Sequence, residues 1–439
     1  MLKTSNMVYK LLVVGIIILF IGMSINPSTG IIIERTTIND TKSGGYIQDL
    51  IDNASVGDTI YIPSGTYYEN IIINKSISLV GEDKNTTIID GCEIGDVVYI
   101  SSDWVNVSGF TIRNCSYYEH GIMLYSTNNS TIMDNIISDN TIGLYQVLCV
   151  NNTISGNNIS SNKYWGIGLD IGTNYNTISG NNISDNSIGL NLHHSNSNNI
   201  TGNYIISNRE YGISLHYLCN KTFISNNNYD VNLFSYGNNI IYNNYFDNAV
   251  NAEDDGYNIW NITKTSGKNI IGGKWLGGNY WSYYTGEDLD GDGLGDTKLP
   301  HKEQIKNGGD WLPLVNQPPG TVLINGPKSG NPFHNYSYIF VAEDPNNNDV
   351  SYHIDWDDGH SEITGFSPSG TEVIVRHTWR NAGTYTIRAK AEDTHGLFGS
   401  EGILTVTIPR TRATSYLWNK WLSACFQSLE KLLCFIIMT

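Results

Sequence analysis

One short phrase occurs three times in close succession: TISGN at Thr153–Asn157, TISGN again at Thr177–Asn181, and ITGN at Ile200–Asn203. Related segments lie on either side, at Ile132–Asn135 and Ile224–Asn227, so that the aligned isoleucines are 22 or 24 residues apart. Within each phrase apolar residues alternate with polar or small ones. This alternation is the pattern of a β-strand with one buried face.

A second phrase, Gly-apolar-x-Leu, recurs in phase with the first, at Gly121–Leu124, Gly166–Leu169, Gly189–Leu192 and Gly212–Leu215. Strands this short cannot bury an apolar face alone, but coils stacked about 4.8 Å apart can pair each strand with its copy in the next coil. The sequence therefore predicts an all-β fold, a right-handed parallel β-helix with coils of about 23 residues. The repeated isoleucine and leucine columns are its predicted core.

The last residue of the first phrase is asparagine in every copy. The five equivalent positions are Asn135, Asn157, Asn181, Asn203 and Asn227. An amide side chain both donates and accepts, so a column of them can hydrogen-bond from coil to coil and satisfy backbone groups at a turn. We expect a structural asparagine ladder rather than a binding site.

The composition restricts the possible partners. The chain has 439 residues and a formal net charge of −17, although only 15% of its residues are charged. Because phosphate binding needs clustered lysine and arginine, this balance argues against a nucleic-acid partner. The length is sufficient for two domains.

Residues 1–30 have the layout of an export signal. Lys3 and Lys10 precede the apolar run Leu11–Ile25, and small or turn-forming residues follow it. The alternative is an uncleaved membrane anchor, although the run is close to the shortest that spans a bilayer. On either interpretation we expect the protein to be exported, and to be secreted or held at the cell surface.

The residues after this segment have the features of a capped solenoid. Tyr46–Ala54 has a short helical pattern suited to covering an open core, and the strand-like segment Gly57–Tyr67 follows it. With the repeats, they resemble the pectate-lyase-like β-helix superfamily, in particular the periplasmic NosD-like copper-binding family, over about residues 46–316. The resemblance implies a β-helix with an N-terminal cap over residues 31–274 and a C-terminal end over residues 275–316. It implies little about chemistry, because that superfamily includes lyases, hydrolases, epimerases and non-enzymes.

An acidic loop lies in the C-terminal end of this region. Its candidate Ca²⁺ ligands are the carboxylates of Asp288, Asp290, Asp292 and Asp296 and the backbone carbonyl of Leu294. Aspartates at alternate positions converge once a glycine turns the chain, and hard oxygen ligands at that spacing suit a structural Ca²⁺ ion. Position twelve of the loop is Leu299 rather than glutamate, which departs from an EF-hand loop. The alternative is a solvated acidic turn without an ion.

A second candidate metal site follows from counting coils. Asp170, His193 and His216 are 23 residues apart and follow leucines that face inward, so strand alternation directs all three outward in one column. Two imidazoles and a carboxylate on neighbouring coils can hold Zn²⁺ or Cu²⁺, or contact a substrate. The alternative is an exposed polar ladder without a ligand. The chain has no tract rich in Met or His, so the resemblance alone does not assign copper.

Cys92 and Cys115 are also one coil apart, and the residues before them align. Equivalent positions on successive coils place Cα atoms about 5 Å apart, within the range that a disulfide requires. The spacing therefore makes a Cys92–Cys115 bridge a candidate. Two buried, reduced thiols are the alternative.

A different composition begins at Gln317–Gly320. About seven strands separated by turn clusters follow in residues 317–409, which predicts an Ig-like β-sandwich. Asp355–Gly359 (DWDDG) and His377–Trp379 resemble the signature of PKD domains, which act as extracellular spacers and adhesion modules. Residues 410–439 form an amphipathic tail with apolar residues three and four apart. Contact with a membrane surface and docking on the β-helix are both open for this tail.

The predicted function is that of an exported structural or adhesive module that contacts glycans or the cell wall. Outward positions of the central coils are mainly Asn, Ser and Tyr, which bind sugars well but catalyse poorly. No spacing forces a catalytic pair, so an enzyme is the less favoured interpretation. Two alternatives stay open: a polysaccharide lyase, hydrolase or epimerase acting on the β-helix face, and a NosD-like metal (copper) binding protein.

Overall fold

The computed structural model describes residues 41–43, 45–216, 219–225, 227–229, 233–235, 237–247, 251–410 and 420–430. The predicted signal or anchor segment, residues 1–30, lies outside them. The chain divides into two compact units. Of the described residues, the first unit contains those up to Thr265, Leu276–Asp290 and Leu294–Leu314. The second contains Ser266–Trp275, Gly291–Gly293 and the described residues from Val315 onward.

Three parallel sheets make up the first unit, and successive coils contribute one short strand to each sheet in turn. The strands of sheet 1 are Thr41–Ser43, Gly65–Tyr68, Thr87–Asp90, Thr111–Arg113, Ile136–Ser138, Asn158–Ser160, Asn182–Ser184, Tyr204–Ile206, Asn228–Tyr229, Tyr245–Phe246 and Tyr280–Trp281. Those of sheet 2 are Ile71–Ile73, Val98–Ile100, His120–Tyr125, Ile142–Val147, Trp165–Asp170, Ile188–His193, Tyr211–His216, Leu233–Ser235, Ala252–Asp254 and Gln304–Ile305. Those of sheet 3 are Thr59–Ile62, Ser78–Gly81, Asn106–Ser108, Thr131–Met133, Thr153–Ser155, Thr177–Ser179, Asn199–Thr201, Asn220–Ser225 and Asn238–Tyr242. Two further short strands, Thr265–Ser266 and Trp275–Leu276, pair with each other.

The repeated phrases form strands that pair in register, as predicted. In sheet 3 the isoleucines of the first phrase pair from Ile132 through Ile154 and Ile178 to Ile200, and each of these side chains is 0% exposed. In sheet 2 the second phrase forms a similar buried column. The apolar columns therefore meet inside the coil and form one continuous core.

The predicted asparagine ladder lies at the corner between sheets 3 and 1. Nδ2 of each residue donates to Oδ1 of its copy in the next coil, at 3.2 Å from Asn135 to Asn157 and 3.0 Å at each later step as far as Asn227. Two further ladders occupy the other corners, and the sequence analysis did not identify them. One contains Asn140, Asn162, Asn186 and Asn208, and the other contains Asn152, Asn176 and Asn198.

Each member of the first ladder donates from Nδ2 to the next member, so the last one needs an acceptor from outside the ladder. It continues through Asn244 and Asn279 and ends on the carboxylate of Asp310. Oδ2 of Asp310 also accepts hydrogen bonds from the Asn279 backbone amide (2.7 Å) and from Nε1 of Trp281 (2.8 Å). Asp310 is 0% exposed, and burial raises its pKa to about 6 in spite of these bonds. A buried carboxylate thus closes the ladder at the C-terminal end of the β-helix.

The helix Tyr46–Asn53 covers the N-terminal end, where the sequence predicted a cap. Ile47 and Ile51 on its inner side are 0% exposed and join the core of the coils. The first backbone amides of the helix have no partner inside it, and the carboxylate of Glu69 accepts those of Ile47 and Gln48 at 3.0 to 3.1 Å. The cap is therefore held to the following coil by both apolar packing and charge.

The second unit contains two antiparallel sheets that share one core. One sheet contains Leu323–Asn325, Tyr336–Val341 and Val373–His377, and the other contains Ser361–Ile363, Val350–Asp355, Gly383–Asp393 and Gly402–Ile408. Trp356 and Trp379 are 1% and 0% exposed, so the tryptophans of the PKD-like segments belong to the core, as expected. The predicted fold class, a parallel β-helix followed by a β-sandwich, is confirmed.

Within the predicted tail, residues 420–430 form a helix. Its large apolar side chains face solvent: Trp421 is 64%, Leu422 40%, Phe426 64% and Leu429 59% exposed. None of the helices in the described part of the chain is both long and apolar enough to cross a membrane.

Candidate functional site

The predicted column of Asp170, His193 and His216 lies on the outer face of sheet 2, at the C-terminal ends of three neighbouring strands. His193 and His216 are paired in register. Nδ1 of His193 lies 2.8 Å from Oδ1 of Asp170. All three side chains are half-buried. The structure therefore brings these residues together as the sequence predicted, with Asp170 fixing the orientation of the His193 imidazole.

Aromatic residues that the sequence analysis missed extend this column. Tyr145 donates a hydrogen bond to Oδ2 of Asp170, so one carboxylate joins a phenol and an imidazole. The ring of Tyr145 stacks on His120 with centroids 4.7 Å apart, and Trp165 lies 5.9 Å away on its other side. We call Tyr145, Asp170, His193 and His216 the polar row. The signal for Tyr145 was available, because it lies two positions before Val147, the residue that pairs with Asp170.

Burial and hydrogen bonding oppose each other in the polar row. Burial favours the protonated form of Asp170, but hydrogen bonds from Tyr145, the Ile171 amide and His193 outweigh it and hold the pKa of Asp170 below its usual value. Burial, and then the charge of His193, lower the pKa of His216. Burial, and then the contact with Asp170, raise the pKa of Tyr145. The row thus combines an ionised carboxylate, an imidazole that favours its neutral form and a protonated phenol.

Two groups of three side chains in the described residues bring possible metal ligands within 4.8 Å of one another. Neither group is the Asp170–His193–His216 column, so metal binding by that column stays a prediction. The first group is Asp288, Asp290 and Asp296 of the acidic loop. The second is Asp96, Glu119 and His120, which the sequence analysis did not identify because these residues belong to no repeated phrase.

The acidic loop brings together three of its five predicted ligands. Carboxylate oxygens of Asp288, Asp290 and Asp296 converge, and these residues are half-buried to exposed. Asp292 is not part of that group. Leu294, the predicted carbonyl ligand, has a side chain that is 2% exposed. Binding of Ca²⁺ here stays a prediction.

The sequence left a Cys92–Cys115 bridge and two buried, reduced thiols as alternatives; in the structure both cysteines are free thiols, and only Cys115 is buried. The register between their coils ends at Asp90 and Arg113, just before the two cysteines. Cys92 then enters an exposed turn with a left-handed backbone, φ 54°. Cys115 is instead buried at the head of an asparagine ladder, where its backbone amide donates to Oδ1 of Asn140 at 3.2 Å. The alignment seen in sequence therefore does not continue to the sulfur atoms.

Two surface pockets lie away from the polar row, and the sequence predicted neither. One, on the outer face of sheet 3, has a volume of about 420 Å³ and is lined by Tyr175, Ser197, Lys221, Phe223, Asn238, Ile240 and Ile259. The other belongs to the second unit and has a volume of about 580 Å³. Two of its charged lining residues, Arg388 and Glu401, are paired at 2.8 Å.

Comparison with protein families places the coils in a known group. The family model described as periplasmic copper-binding protein (NosD) matches residues 51–286, which is more than half of the chain. The chain belongs to the NosD family. No curated protein matches this NosD-family chain.

Several solved structures are similar to parts of the NosD-family chain. The PKD domain of an M14-like peptidase from Thermoplasmatales archaeon SCGC AB-540-F20 is 44% identical, with 22% of this chain and 100% of that chain covered and a TM-score of 0.22. An alginate lyase from Paenibacillus sp. str. FPU-7 is 16% identical, with 50% and 93% covered and a TM-score of 0.41. Pectate lyase Pel9A is 17% identical, with 53% and 68% covered and a TM-score of 0.34. The predicted resemblance to the NosD-like family and to PKD domains is confirmed.

The description of the NosD family names copper, and the polar row offers donors that copper accepts. Cu²⁺ binds imidazole nitrogen well, and His193 and His216 present two imidazoles from paired positions. The carboxylate of Asp170 at Nδ1 of His193 is the kind of partner that orients an imidazole ligand. Nε2 of His216 lies 2.7 Å from Oγ of Ser214, and neither ligand group found in the described residues contains His193 or His216. Copper binding by these two imidazoles therefore stays a prediction.

Proposed function

We propose that this NosD-family protein is an exported surface module that binds polysaccharide along the outer face of sheet 2. The observation that supports this most is the continuity of the polar row. Tyr145, Asp170, His193 and His216 lie on four consecutive strands, and hydrogen bonds join the first three of them.

Each residue type in the row suits a sugar ligand. A carboxylate accepts hydrogen bonds from hydroxyl groups, whereas imidazole and phenol groups can both donate and accept them. The rings of Tyr145 and Trp165 add apolar faces against which a pyranose can stack. Successive parallel strands are about 4.8 Å apart, so the row advances in steps similar to one unit of an extended polysaccharide.

Export has separate support. The matching family is described as periplasmic, and residues 1–30 of this chain have the layout of an export signal. An exported protein meets envelope and extracellular polysaccharides, which are the ligands that the polar row suits.

Binding of the protein to a glycan array, with and without a chelator, tests this proposal. We expect Tyr145→Ala and Asp170→Asn to lose most of the array signal. Tyr204→Ala is the matched control, because Tyr204 is 49% exposed on sheet 1, and it should bind as the parent does. Equal glycan binding by all three variants would contradict a site on sheet 2, and comparable urea midpoints would confirm that the variants are folded.

We propose acid–base catalysis on the same polysaccharide as a second candidate function, because the chain Tyr145–Asp170–His193 is hydrogen-bonded throughout. An imidazole oriented by a carboxylate can accept a proton and return it. Sizing of the polysaccharide after incubation separates the two functions. Shorter or unsaturated products made by the parent and not by His193→Gln would support catalysis, whereas bound but unchanged polysaccharide would support binding alone.

A further inference from the structure

Three side chains outside the polar row meet where the chain enters sheet 2. Asp96 lies just before one strand, and Glu119 and His120 lie at the start of the next. Because Val98 pairs with Ile122 in register, Asp96 and His120 occupy the same position on neighbouring coils. The backbone amide of His120 donates to Oδ1 of Asp96 at 2.9 Å, which holds this carboxylate in place.

The polar atoms of these three side chains lie close together. Nδ1 of His120 is 2.8 Å from Oδ1 of Asp96 and 3.9 Å from Oε2 of Glu119. One possible ligand atom from each residue lies within 4.8 Å of the other two. Ligand atoms around a tetrahedral zinc ion lie about 3.3 Å from one another, since each is roughly 2.0 to 2.2 Å from the metal. The two distances to Nδ1 lie on either side of that value.

The group holds more negative charge than its own partners neutralise. Among the residues that the structure describes, His120 is the only basic side chain in an ion pair with Asp96 or Glu119. A divalent cation at the centre would neutralise both carboxylates and remove their mutual repulsion.

We propose that Asp96, Glu119 and His120 form a binding site for a divalent transition ion, with Zn²⁺ as its representative. One imidazole nitrogen and two carboxylate oxygens are ligands that zinc uses, and three protein ligands leave a position for water or a further ligand. Ca²⁺ suits the site poorly, because it takes six to eight oxygen ligands. The site shares no residue with the polar row or the acidic loop, and it does not depend on polysaccharide binding.

The neighbouring thiol of Cys115 is not expected to join the ligands. Its Sγ lies 3.2 Å from the carbonyl oxygen of Glu119 and accepts the backbone amide of Thr141 at 3.1 Å. The ligand set therefore contains nitrogen and oxygen and no sulfur.

The test is a calorimetric Zn²⁺ titration of the full chain carrying His193→Ala and His216→Ala, so that the polar row offers no imidazole. Excess Ca²⁺ is present to occupy the acidic loop. We expect one Zn²⁺ per chain, and we expect His120→Gln or Asp96→Asn to weaken binding at least about tenfold, because loss of even an outer partner of a metal ligand weakens binding by 10 to 100 times. His334→Gln changes an exposed histidine of the second unit and should leave the affinity unchanged.

Cobalt provides a second readout, because its visible spectrum reports the ligand atoms. We expect ligand-field bands without a thiolate charge-transfer band, both in the parent and in Cys115→Ser. Zinc affinity that is unchanged by His120→Gln and Asp96→Asn, or no zinc uptake at all, would overturn the proposal, and a strong thiolate band would overturn the ligand set. If those variants fail to fold, Glu119→Gln carries the same expectation, since the Glu119 side chain is 45% exposed.

Discussion

Asparagine occupies the corners of the coil because one planar group supplies both a donor and an acceptor. At Asn181, Oδ1 accepts the backbone amide of Asn157 at 3.0 Å, while Nδ2 donates to Oδ1 of Asn203 at 3.0 Å and to the carbonyl of Ile154 at 2.9 Å. These groups lie at a buried turn, where water cannot replace a missing partner. Aspartate would lack the donor and leucine would lack both functions, so neither can continue the ladder.

Asn181→Ala is expected to destabilise the β-helix by about 2 to 4 kcal/mol, because the amide of Asn157 and Oδ1 of Asn203 lose a buried partner. The exposed neighbour Asn182 provides the control, and Asn182→Ala should change stability by less than about 0.5 kcal/mol. Urea unfolding measures both. Equal midpoints for the two variants would show that the ladder contributes nothing to stability.

Asp310 makes the stability of the last coils depend on pH. Its pKa is raised from 3.8 to about 6 by burial, so the folded state holds the proton more tightly than the unfolded state does. The stabilisation is therefore complete below about pH 4 and is lost as the pH rises through about 6. One pKa unit corresponds to about 1.4 kcal/mol, so this group accounts for about 3 kcal/mol across that range.

The measurement is urea unfolding of the parent and of Asp310→Asn at about pH 4 and about pH 7. The parent should gain stability from Asp310 at the lower pH, and the variant should lack that gain. Asp310→Asn should also be less stable overall, because an amide has only one oxygen. Its nitrogen would face either the Leu312 amide, which donates to Oδ1 of Asp310 at 3.0 Å, or the Asn279 amide and the Trp281 indole, which donate to Oδ2. A pH dependence that is the same in both proteins would contradict the shifted pKa.

Metal binding by the polar row is tested by removing its imidazoles. We expect His193→Ala/His216→Ala to weaken Cu²⁺ and Zn²⁺ binding by at least about tenfold relative to the parent, since both imidazoles are withdrawn. The metal affinity of His120→Gln is measured for comparison, because it reports metal bound by Asp96, Glu119 and His120. Unchanged affinity for both ions would leave Asp170, His193 and His216 as a polar ladder without a metal.

At the scale of the strand and turn, the backbone conformation accounts for the glycine in the repeated phrase. Gly156, Gly180 and Gly202 have φ values of 65°, 63° and 66°, in the left-handed region, directly before a ladder asparagine. Glycine enters this region without a steric penalty, and Asp134 takes the same place in an earlier coil with φ 54°. The phrase is therefore a strand followed by a defined turn, which is why it could be recognised in the sequence.

In the acidic loop, three of the predicted carboxylate ligands lie close together, and the binding of Ca²⁺ is still a prediction. Oδ2 of Asp296 accepts the backbone amides of Leu289 at 2.7 Å and Asp290 at 3.3 Å, so the loop is partly closed by its own hydrogen bonds. A ligand that binds only the folded state raises its stability by mass action. We expect Ca²⁺ to raise the melting temperature by a few degrees and Asp288→Asn/Asp290→Asn to abolish the shift. Calorimetry with no calcium-dependent shift in the parent would contradict the site.

The candidate site was predictable only in part. Asp170, His193 and His216 were found because they recur at one coil position, which spacing reveals. Tyr145, Asp96 and Glu119 have no equivalent residue at the same position of other coils, so spacing does not reveal them. Their contacts depend on the direction in which each side chain points between coils. The same reason explains why spacing alone could not decide whether Cys92 and Cys115 are bridged, since equal spacing describes the backbone register and the Cys92 sulfur atom follows a local turn.

At the scale of the whole molecule, the helix over residues 420–430 exposes large apolar side chains to solvent. With Trp421, Leu422, Phe426 and Leu429 on its surface, it resembles helices that lie in a membrane interface. We expect the protein to float with phospholipid vesicles and Trp421→Ser/Phe426→Ser to reduce the bound fraction several-fold. Tyr257→Ser, which removes an aromatic residue that is 75% exposed in the first unit, should have no effect. Equal flotation of both variants would exclude the helix as the membrane contact.

The sequence by itself determined the parallel β-helix, its core columns, one asparagine ladder, the N-terminal cap and the separate β-sandwich. Each of these features recurs at a regular spacing or extends over a whole segment of the sequence. In a strand, alternate side chains lie on opposite faces, so a regular spacing shows which positions are buried and which are exposed. Only the tertiary structure decided the other two ladders, the carboxylate that closes the first one, the link from Tyr145 to Asp170 and the group of Asp96, Glu119 and His120. Those features depend on which side chains face each other across coils at single positions, and spacing along the chain does not specify a side chain's direction.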